Sequence, residues 1–505
     1  LKARRFLLIV ALALAVTVAV LPAAAAPSER VAVVVVPASS AIFRSPEVAH
    51  GLLVAGEGAT VSKRGSMASL LRGKMGNAIV DDGVPGGKQV ISISRRPART
   101  TFFVALPPAG RHHNVVRYPI AVRGPGYDGL LTDSSTRLPG LISIADVAPS
   151  VRALQRGERP RIRSRDERDP LGRLESFDRR LGRAHDSRVG ATIVLVVLML
   201  ALSLLALVTR SAAAARAAFL APPACIGAAV AASAAGVATP SHAVTVVALA
   251  GTAAAVAGGL FLRPRLPLAG ALAAFFALLF AVMWARPEWN ALAVIGPHPD
   301  GGGRFYGVTN QVETLLLPAA LVLGALVGRE SLPLVALVIS GGIAASRIGA
   351  DGGGLVVYLT GFLVLWLRLR RVPAARAVAA VAGAAAVALL LVGVDAATGG
   401  SSHVTDAVGG GPGSVLGDLG HRLHLSAAAI GSTWHAALLF ALGIAALVVL
   451  ALQRPRFALL DAYLAALAVS LLVNDTPTDV AGYGGLAALG LWLFARSEEG
   501  AERLQ

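Results

Sequence analysis

"GATIVLVVLMLALSLLALVT" (residues 190–209) is twenty residues without a single charge. A helix rises about 1.5 Å per residue and the hydrocarbon core of a bilayer is about 30 Å thick, so this stretch is long enough to cross one. Its reading decides the class of the chain, because comparable segments lie near 216–237, 242–262, 266–285, 311–328, 331–346, 352–369, 374–394, 430–452, 457–473 and 481–496. The sequence therefore predicts an all-α transmembrane bundle of about 11 helices over residues 190–496, with a short tail at 497–505. Composition agrees: of 505 residues 55% are hydrophobic and the mean hydropathy is +0.67, above what soluble domains carry.

Upstream of that first span the character changes three times. Residues 1–26 combine basic Lys2, Arg4 and Arg5, an apolar run over 6–20 and small residues from Ala23 to Ala26. This is the pattern of a signal peptide, or of an uncleaved anchor, and either one exports the domain behind it. Residues 27–150 contain strand-like runs, "RVAVVVVPASS" (30–40), "GKQVISISRR" (87–96) and "TTFFVALPP" (100–108), separated by Gly- and Pro-rich turns. They predict an exported α/β domain. Residues 151–189 form a charged linker, with twelve Arg and seven acidic residues. It reads as a solvated tether, with contact to an anionic lipid or polymer as the alternative.

Net charge is +17, carried almost wholly by Arg, with lysine only at 2, 63, 74 and 88. No basic run is interleaved with aromatics, so nucleic acid is not an expected partner; the bilayer is. The arginines instead mark orientation. With the N-terminal domain exported, the connections predicted to lie inside carry Arg210 and Arg216, Arg263 and Arg265, Arg329, Arg368 to Arg376, Arg454 and Arg456, and Arg496 and Arg503. The outer ones carry only Arg286, Arg304, Arg347 and Arg422. Positive loops stay in the cytoplasm. The sequence thus predicts a multi-pass bacterial inner-membrane protein with a cytoplasmic C-terminus.

Four polar motifs then fall at outer span ends: "GRFYGVTNQVE" (303–313), "SRIGADGGG" (346–354), a long stretch at 401–424, and "NDTPTD" (474–479). Ionisable groups at membrane depth are costly unless paired or wet. Local roles account for part of them. Asn310 with Glu313 fits a helix cap, Arg304 can snorkel, and Arg347 can pair with Asp351 one turn away. Thr476 can cap the last span. Gly352 to Gly354 argue for broken backbone lining a cavity. The functional alternative is one shared outer site, with Arg304, Tyr306, Asn310, Arg347, His403, Asp406 and Asn474 binding substrate and Asp351, Asp475 and Glu313 as acid/base or ion-coupling groups. No metal or cofactor is expected. The lone Cys225 offers no thiolate set, and His403, His421, His424 and His435 lack zinc spacing. No P-loop, Gly-x-Ser-x-Gly or His-Glu-x-x-His is present.

The segment "GLLTDSSTRLPGLISIADVAPSV" (129–151) resembles the late part of alkaline phosphatase superfamily domains, where a strand leads into an Asp-x-x-Pro-Thr helix start, here Asp146 to Ser150. "VAVVVVPASS" resembles their first strand, but Pro37 and Ala38 stand where working enzymes place a metal-binding Asp. His50, His112 and His113 are the domain's only histidines. The resemblance implies a degenerate, pseudoenzyme domain. The membrane half is similar to bacterial polytopic envelope proteins that join such a domain to a bundle. Its matches are Tyr306, Gly307 and Asn310; Gly349, Ala350, Asp351, Gly353 and Gly354; and Asn474 and Asp475. Gln311 stands where their Glu is expected. That resemblance implies a cell-envelope location and supplies no reaction.

Three function classes are consistent with these readings: an envelope enzyme handling a phosphate-bearing or lipid-linked substrate, a transporter or flippase, and a non-catalytic scaffold. All rest on orientation. A Cys placed at Gly302 should be labelled by an impermeant reagent from outside, and one at Glu330 should not; the reverse pattern would place the polar motifs in the cytoplasm.

Overall fold

The computed structural model describes residues 30–497, apart from 79–81, 238, 263–265, 421–423 and all of 374–419 except 383, 384, 388 and 391. The expected signal or anchor, the span at 374–394, and His403 and Asp406 lie outside the described residues.

Residues 31–165 build a seven-stranded mixed sheet. β1 (Val31–Val35) runs parallel to β4 (Thr100–Val104), which pairs antiparallel with β6 (Tyr118–Arg123). Next comes β2 (Ala49–Val54), antiparallel to β6 and parallel to both β7 (Leu130–Asp133) and β8 (Leu141–Ser143). β9 (Ile162–Arg165) closes the far edge against β7. Strands buried on both faces carry few polar groups, and "TTFFV" is buried throughout, while "VAVVV", at the sheet edge, is buried only at Ala32 and Val33. A two-stranded sheet joins β3 (Thr60–Ser62) to β5 (Arg111–His113). The helices α1 (Lys63–Arg72) and α2 (Val147–Gln155) complete the domain, whose core holds Val33, Leu70, Phe102, Ile120, Ile142 and Val151. The stretch 87–96 does not form the expected strand. Its amides are divided, Val90 bonding Leu71 at the end of α1 and Ser94 bonding Val33 of β1, so no ladder develops.

Much of the expected linker at 151–189 is regular structure. It supplies most of α2, then β9, then the first half of α3 (Pro170–Thr209), a continuous helix of 40 residues that runs on through the first span. Asp169 caps it, its Oδ1 accepting from Gly172 N at 2.9 Å, and Pro170 occupies N1, where a missing N–H costs nothing. Part of the linker's charge is partnered, while Arg152, Arg159, Arg163, Arg168 and Arg183 stay exposed as expected. Arg117 meets Asp178 at 2.6 Å, Arg173 and Arg180 both reach Glu288, and Arg188 meets Asp300 at 2.6 Å. Charge counting along the chain cannot reveal partners that lie more than a hundred residues away.

Below the domain stand α4 (Ala212–Ala234), α5 (Pro240–Phe261), α6 (Leu266–Ala285), the short α7 (Pro287–Ala291), α8 (Asn310–Leu326), α9 (Leu332–Ala344), α10 (Gly352–Arg370), α11 (Trp434–Leu452), α12 (Ala458–Val473) and α13 (Pro477–Arg496). Among the described residues, six of these helices, α3 to α6, α10 and α11, are long and apolar enough to cross a membrane; α8, α9 and α12 are apolar but shorter. The expected count of about 11 spans is therefore supported for six of them. Exposed Val208, Phe261, Leu266 and Leu452 give the bundle an apolar outer surface that suits lipid. α8 is its axis, buried on every side from Gln311 to Gly324. At the end away from the domain, Asp461 is held by Arg368 and Arg456 at 2.9 and 2.7 Å.

Two buried carboxyls of the domain make a test of its packing. Asp133 and Asp146 are each 3% exposed, and the Ser135 hydroxyl lies within hydrogen-bond reach of both. Asp146 is also held by Arg161 at 2.8 Å, so of the two it is Asp133, with no ion pair among the described residues, that a proton would suit. Burial, then the neighbouring Asp146, push the Asp133 carboxyl up to about 8, against the opposing bonds from Ser143 and Ser135. A folded-state value raised above the unfolded one gives stability that is complete below about pH 4 and is lost as pH rises to about 8. Hydrogen-exchange protection of β7 in the full chain should fall across that window by on the order of a few kcal/mol, and Asp133→Asn should flatten the profile. An unchanged slope in the variant would assign the pH dependence elsewhere.

Candidate functional site

The loop between α7 and α8 folds as it does because of its glycines. A 3-10 turn over Pro299–Gly301 presents the Gly301 carbonyl to the N-terminal domain, where Gly58 N donates at 3.0 Å and Asn114 Nδ2 at 3.1 Å. Gly302 has φ +71, and a Cβ there would stand 2.2 Å from Gly56 O. Only glycine allows the two backbones to touch. The labelling Cys therefore belongs at Gly301, which has open space for a side chain. Gly307 repeats the device lower down: φ is +84, a Cβ would lie 2.1 Å from Gly349 O, and Val308 N donates to that same oxygen at 2.8 Å. The two polar loops are thus zipped together by backbone contact.

That zipper aims the side chains. Arg304 donates to Ala350 O at 3.2 Å and its Nη2 lies 3.6 Å from Asp351 Oδ1. Tyr306 donates its hydroxyl to Ser346 O at 2.6 Å. Thr309, not Asn310, caps α8, through a 3.3 Å bond from Val312 N. Freed from capping, Asn310 reaches across to Asp475 Oδ1 and Thr476 Oγ1, both at 2.9 Å. Glu313, wholly buried one turn into α8, faces Asn474 Nδ2 at 3.4 Å and Ser470 Oγ at 3.4 Å. Asn474 in turn donates to Ser470 Oγ at 2.7 Å, and its carbonyl accepts from Ser426 at 3.1 Å.

Asp351 caps α10, its Oδ1 accepting from Gly354 N at 3.1 Å, so Gly352 to Gly354 form a regular first turn rather than the broken backbone expected. They have another use. A Cβ on Gly353 would sit 2.8 Å from Asn474 Oδ1, and one on Gly354 would sit 3.1 Å from both Asp351 Cγ and Glu313 Oε2. Small residues let the two carboxyls and the amide converge. Asp351 Oδ2 is buried and, among the described residues, has no hydrogen-bond donor.

Three of the four polar motifs, spread from residue 303 to 479, therefore meet. Arg304, Tyr306, Asn310, Glu313, Asp351, Asn474 and Asp475 lie in one connected region. Arg347 does not join by its side chain, which is exposed, and Arg304 takes the place beside Asp351 that Arg347 was expected to fill. His403 and Asp406 belong to the fourth motif, outside the described residues. Among the described residues no three His, Cys, Asp or Glu side chains are grouped to hold a metal.

Several participants carried no signal in the sequence. Tyr358 and Tyr463 donate to the carbonyls of Glu313 and Thr314 at 3.1 and 3.0 Å and lock the first turn of α8. Arg137, held at φ +55 between β7 and β8, bonds the carbonyls of Arg347 and Trp284 and stacks 5.0 Å over the Tyr306 ring. Beside the same loop, burial would raise the Asp300 carboxyl, but bonds from Arg188 and His185 outweigh it and hold it below its ordinary value. Burial and the Arg188 charge press the neighbouring His298 down to about 4. The loop is anchored by an ionised carboxylate beside a neutral imidazole.

No family model, curated protein or solved structure matches this chain. Its site has to be read from its own chemistry.

The zipper makes a direct prediction. Gly307→Ala would need a left-handed alanine pressed on a backbone oxygen and should cost about 2 kcal/mol or more. Gly482→Ala, in α13 with open space around it, should be neutral or stabilising. Thermal unfolding of the full chain in detergent would read both; a Gly307→Ala protein as stable as its parent would show the loops do not depend on this contact.

Proposed function

We propose that this chain is a multi-pass protein of the bacterial cell membrane, with its N-terminal domain outside the cytoplasm and its C-terminus within. On this reading the cluster of Arg304, Glu313, Asp351 and Asn474 handles a phosphate-bearing or lipid-linked substrate of the cell envelope. The convergence of these four side chains from separate elements carries the reading. Arg304 is the most open of the set, with 29% of its side chain exposed, while Glu313 and Asp351 lie behind it. An anionic group arriving from the domain side meets the guanidinium first, and a bidentate donor of this kind suits phosphate. The buried carboxyls then stand where an acid/base pair is needed.

The N-terminal domain serves in this picture as a positioning cover. Its Asn114 and Arg137 touch the very loops that carry Arg304 and Tyr306, and the degenerate alkaline phosphatase-like character expected of it asks for no chemistry of its own. A transport reading has one observation in its favour. Two carboxyls face one guanidinium, and Asp351 Oδ2, which has no hydrogen-bond partner among the described residues, is a natural seat for a coupling proton or cation.

Lipid and cell-wall polymer analysis of a deletion strain, complemented with single variants, tests the proposal. Glu313→Gln and Asp351→Asn should each reduce the restored function by about a hundredfold or more, the scale of a lost acid/base group, and Arg304→Ala should weaken substrate use most at low substrate supply. An enzyme leaves an unmodified precursor on the outer leaflet, whereas a transporter leaves the normal compound on the wrong side. Full complementation by all three variants would sink the site.

A further inference from the structure

A second polar feature lies apart from that cluster, where α3, α4 and α5 meet at the domain-side end of the bundle. It is an open crevice that leaves about 40 Å³ for the centres of water-sized spheres. That is room for about three waters. Arg180, Arg183 and Ser187 of α3, Ser233 of α4, Thr239 at the start of α5 and Leu292 line it.

The walls set two cations, Arg180 and Arg183, among small apolar residues, with the Ser187 hydroxyl already donating to Arg183 O at 2.7 Å. Arg180 is shared with Glu288, but Arg183 is exposed and has no ion pair among the described residues. Ser233 Oγ is buried and, among the described residues, lacks a hydrogen-bond partner. The amino end of α5, a helix of 22 residues, adds the positive pole of its dipole. Depth supplies the remaining argument. Val189, 71% exposed, begins the apolar outer surface of α3, continued by Ile193 and Val197, each 57% exposed. Arg183 precedes Val189 by six residues, about 9 Å along the axis, which places its guanidinium at head-group level when the apolar surface is immersed.

We infer that this crevice binds the phosphate group of an anionic phospholipid, whose acyl chains run down the exposed face below. The inference does not rest on the reading of the Arg304 cluster, and either can fail without the other.

The full chain, purified from detergent, would be reconstituted in nanodiscs of phosphatidylcholine with a minor fraction of phosphatidylglycerol, and the phosphatidylglycerol retained per chain counted by native mass spectrometry. Retention above the bulk ratio is expected. Arg183→Gln should lower it about fivefold, the scale of one guanidinium at a lipid surface, and Ser233→Leu should lower it by filling the crevice while leaving both arginines. Arg210→Gln, at the opposite end of α3, should leave it unchanged. Equal retention in the parent and both crevice variants would overturn the proposal, as would an equal loss in Arg210→Gln, which would mean unspecific attraction. Displacement of the lipid by millimolar inorganic phosphate would assign the crevice to a free anion instead.

Discussion

A small apolar knot holds the two halves of this protein in one register. Val54 and Leu141 from the sheet, Leu138 from the turn before β8, Phe177 and Leu181 from α3, and Ala291 and Leu292 at the end of α7 are all buried together, with Phe305 packed at the side. Burying side chains of this size stabilises by about 1.5–3 kcal/mol each as an upper bound. More important is where the knot sits. It ties the domain, the helix that leaves the domain, and the loop that carries Arg304 and Tyr306. The polar contacts around it, Asn114 to Gly301 and Arg188 to Asp300, can be short because the knot has already fixed the distances.

Within the bundle the same logic runs through absent side chains. Burying Glu313, Asp351 and Asn474 between apolar helices is costly unless each finds partners. The glycines at 353 and 354 bring α8, α10 and the end of α12 close enough for those partners to be one another. Ser470 and the two tyrosine hydroxyls then satisfy neighbouring atoms. Specificity of helix packing and the polar cluster are therefore one feature. An alanine in the wrong place would separate the helices and leave a carboxyl alone.

The positions of the helices were legible from apolar run length, with boundaries within a few residues for α6, α10 and α12. The meeting of three polar motifs was legible too, because each lies at the same end of its span and an isolated charge there is expensive. Finer readings failed where a local rule competed with a distant partner. Asn310 looked like a cap, yet Thr309 caps and Asn310 crosses 165 residues to Asp475. Arg347 seemed placed for Asp351, yet Arg304 is nearer. Arg173, Arg180 and Arg188 looked solvated because their partners, Glu288 and Asp300, stand on the far side of four spans in the chain. Arg137 had no signal at all, being a turn residue whose role exists only once the domain is seated.

The unbroken run of α3 sets a phase constraint on the gene. Each residue turns a helix by about 100° and lifts it by about 1.5 Å. A single codon inserted between Arg188 and Ala191 would swing Arg188 away from Asp300 and Phe177 away from the knot, though neither residue had changed. Seven codons would nearly restore the angle but raise the domain about 10 Å off its loop. Substitutions along this helix can be absorbed one at a time, whereas its length cannot drift, so the reading distance from Pro170 to the first lipid-facing turn is itself part of the design.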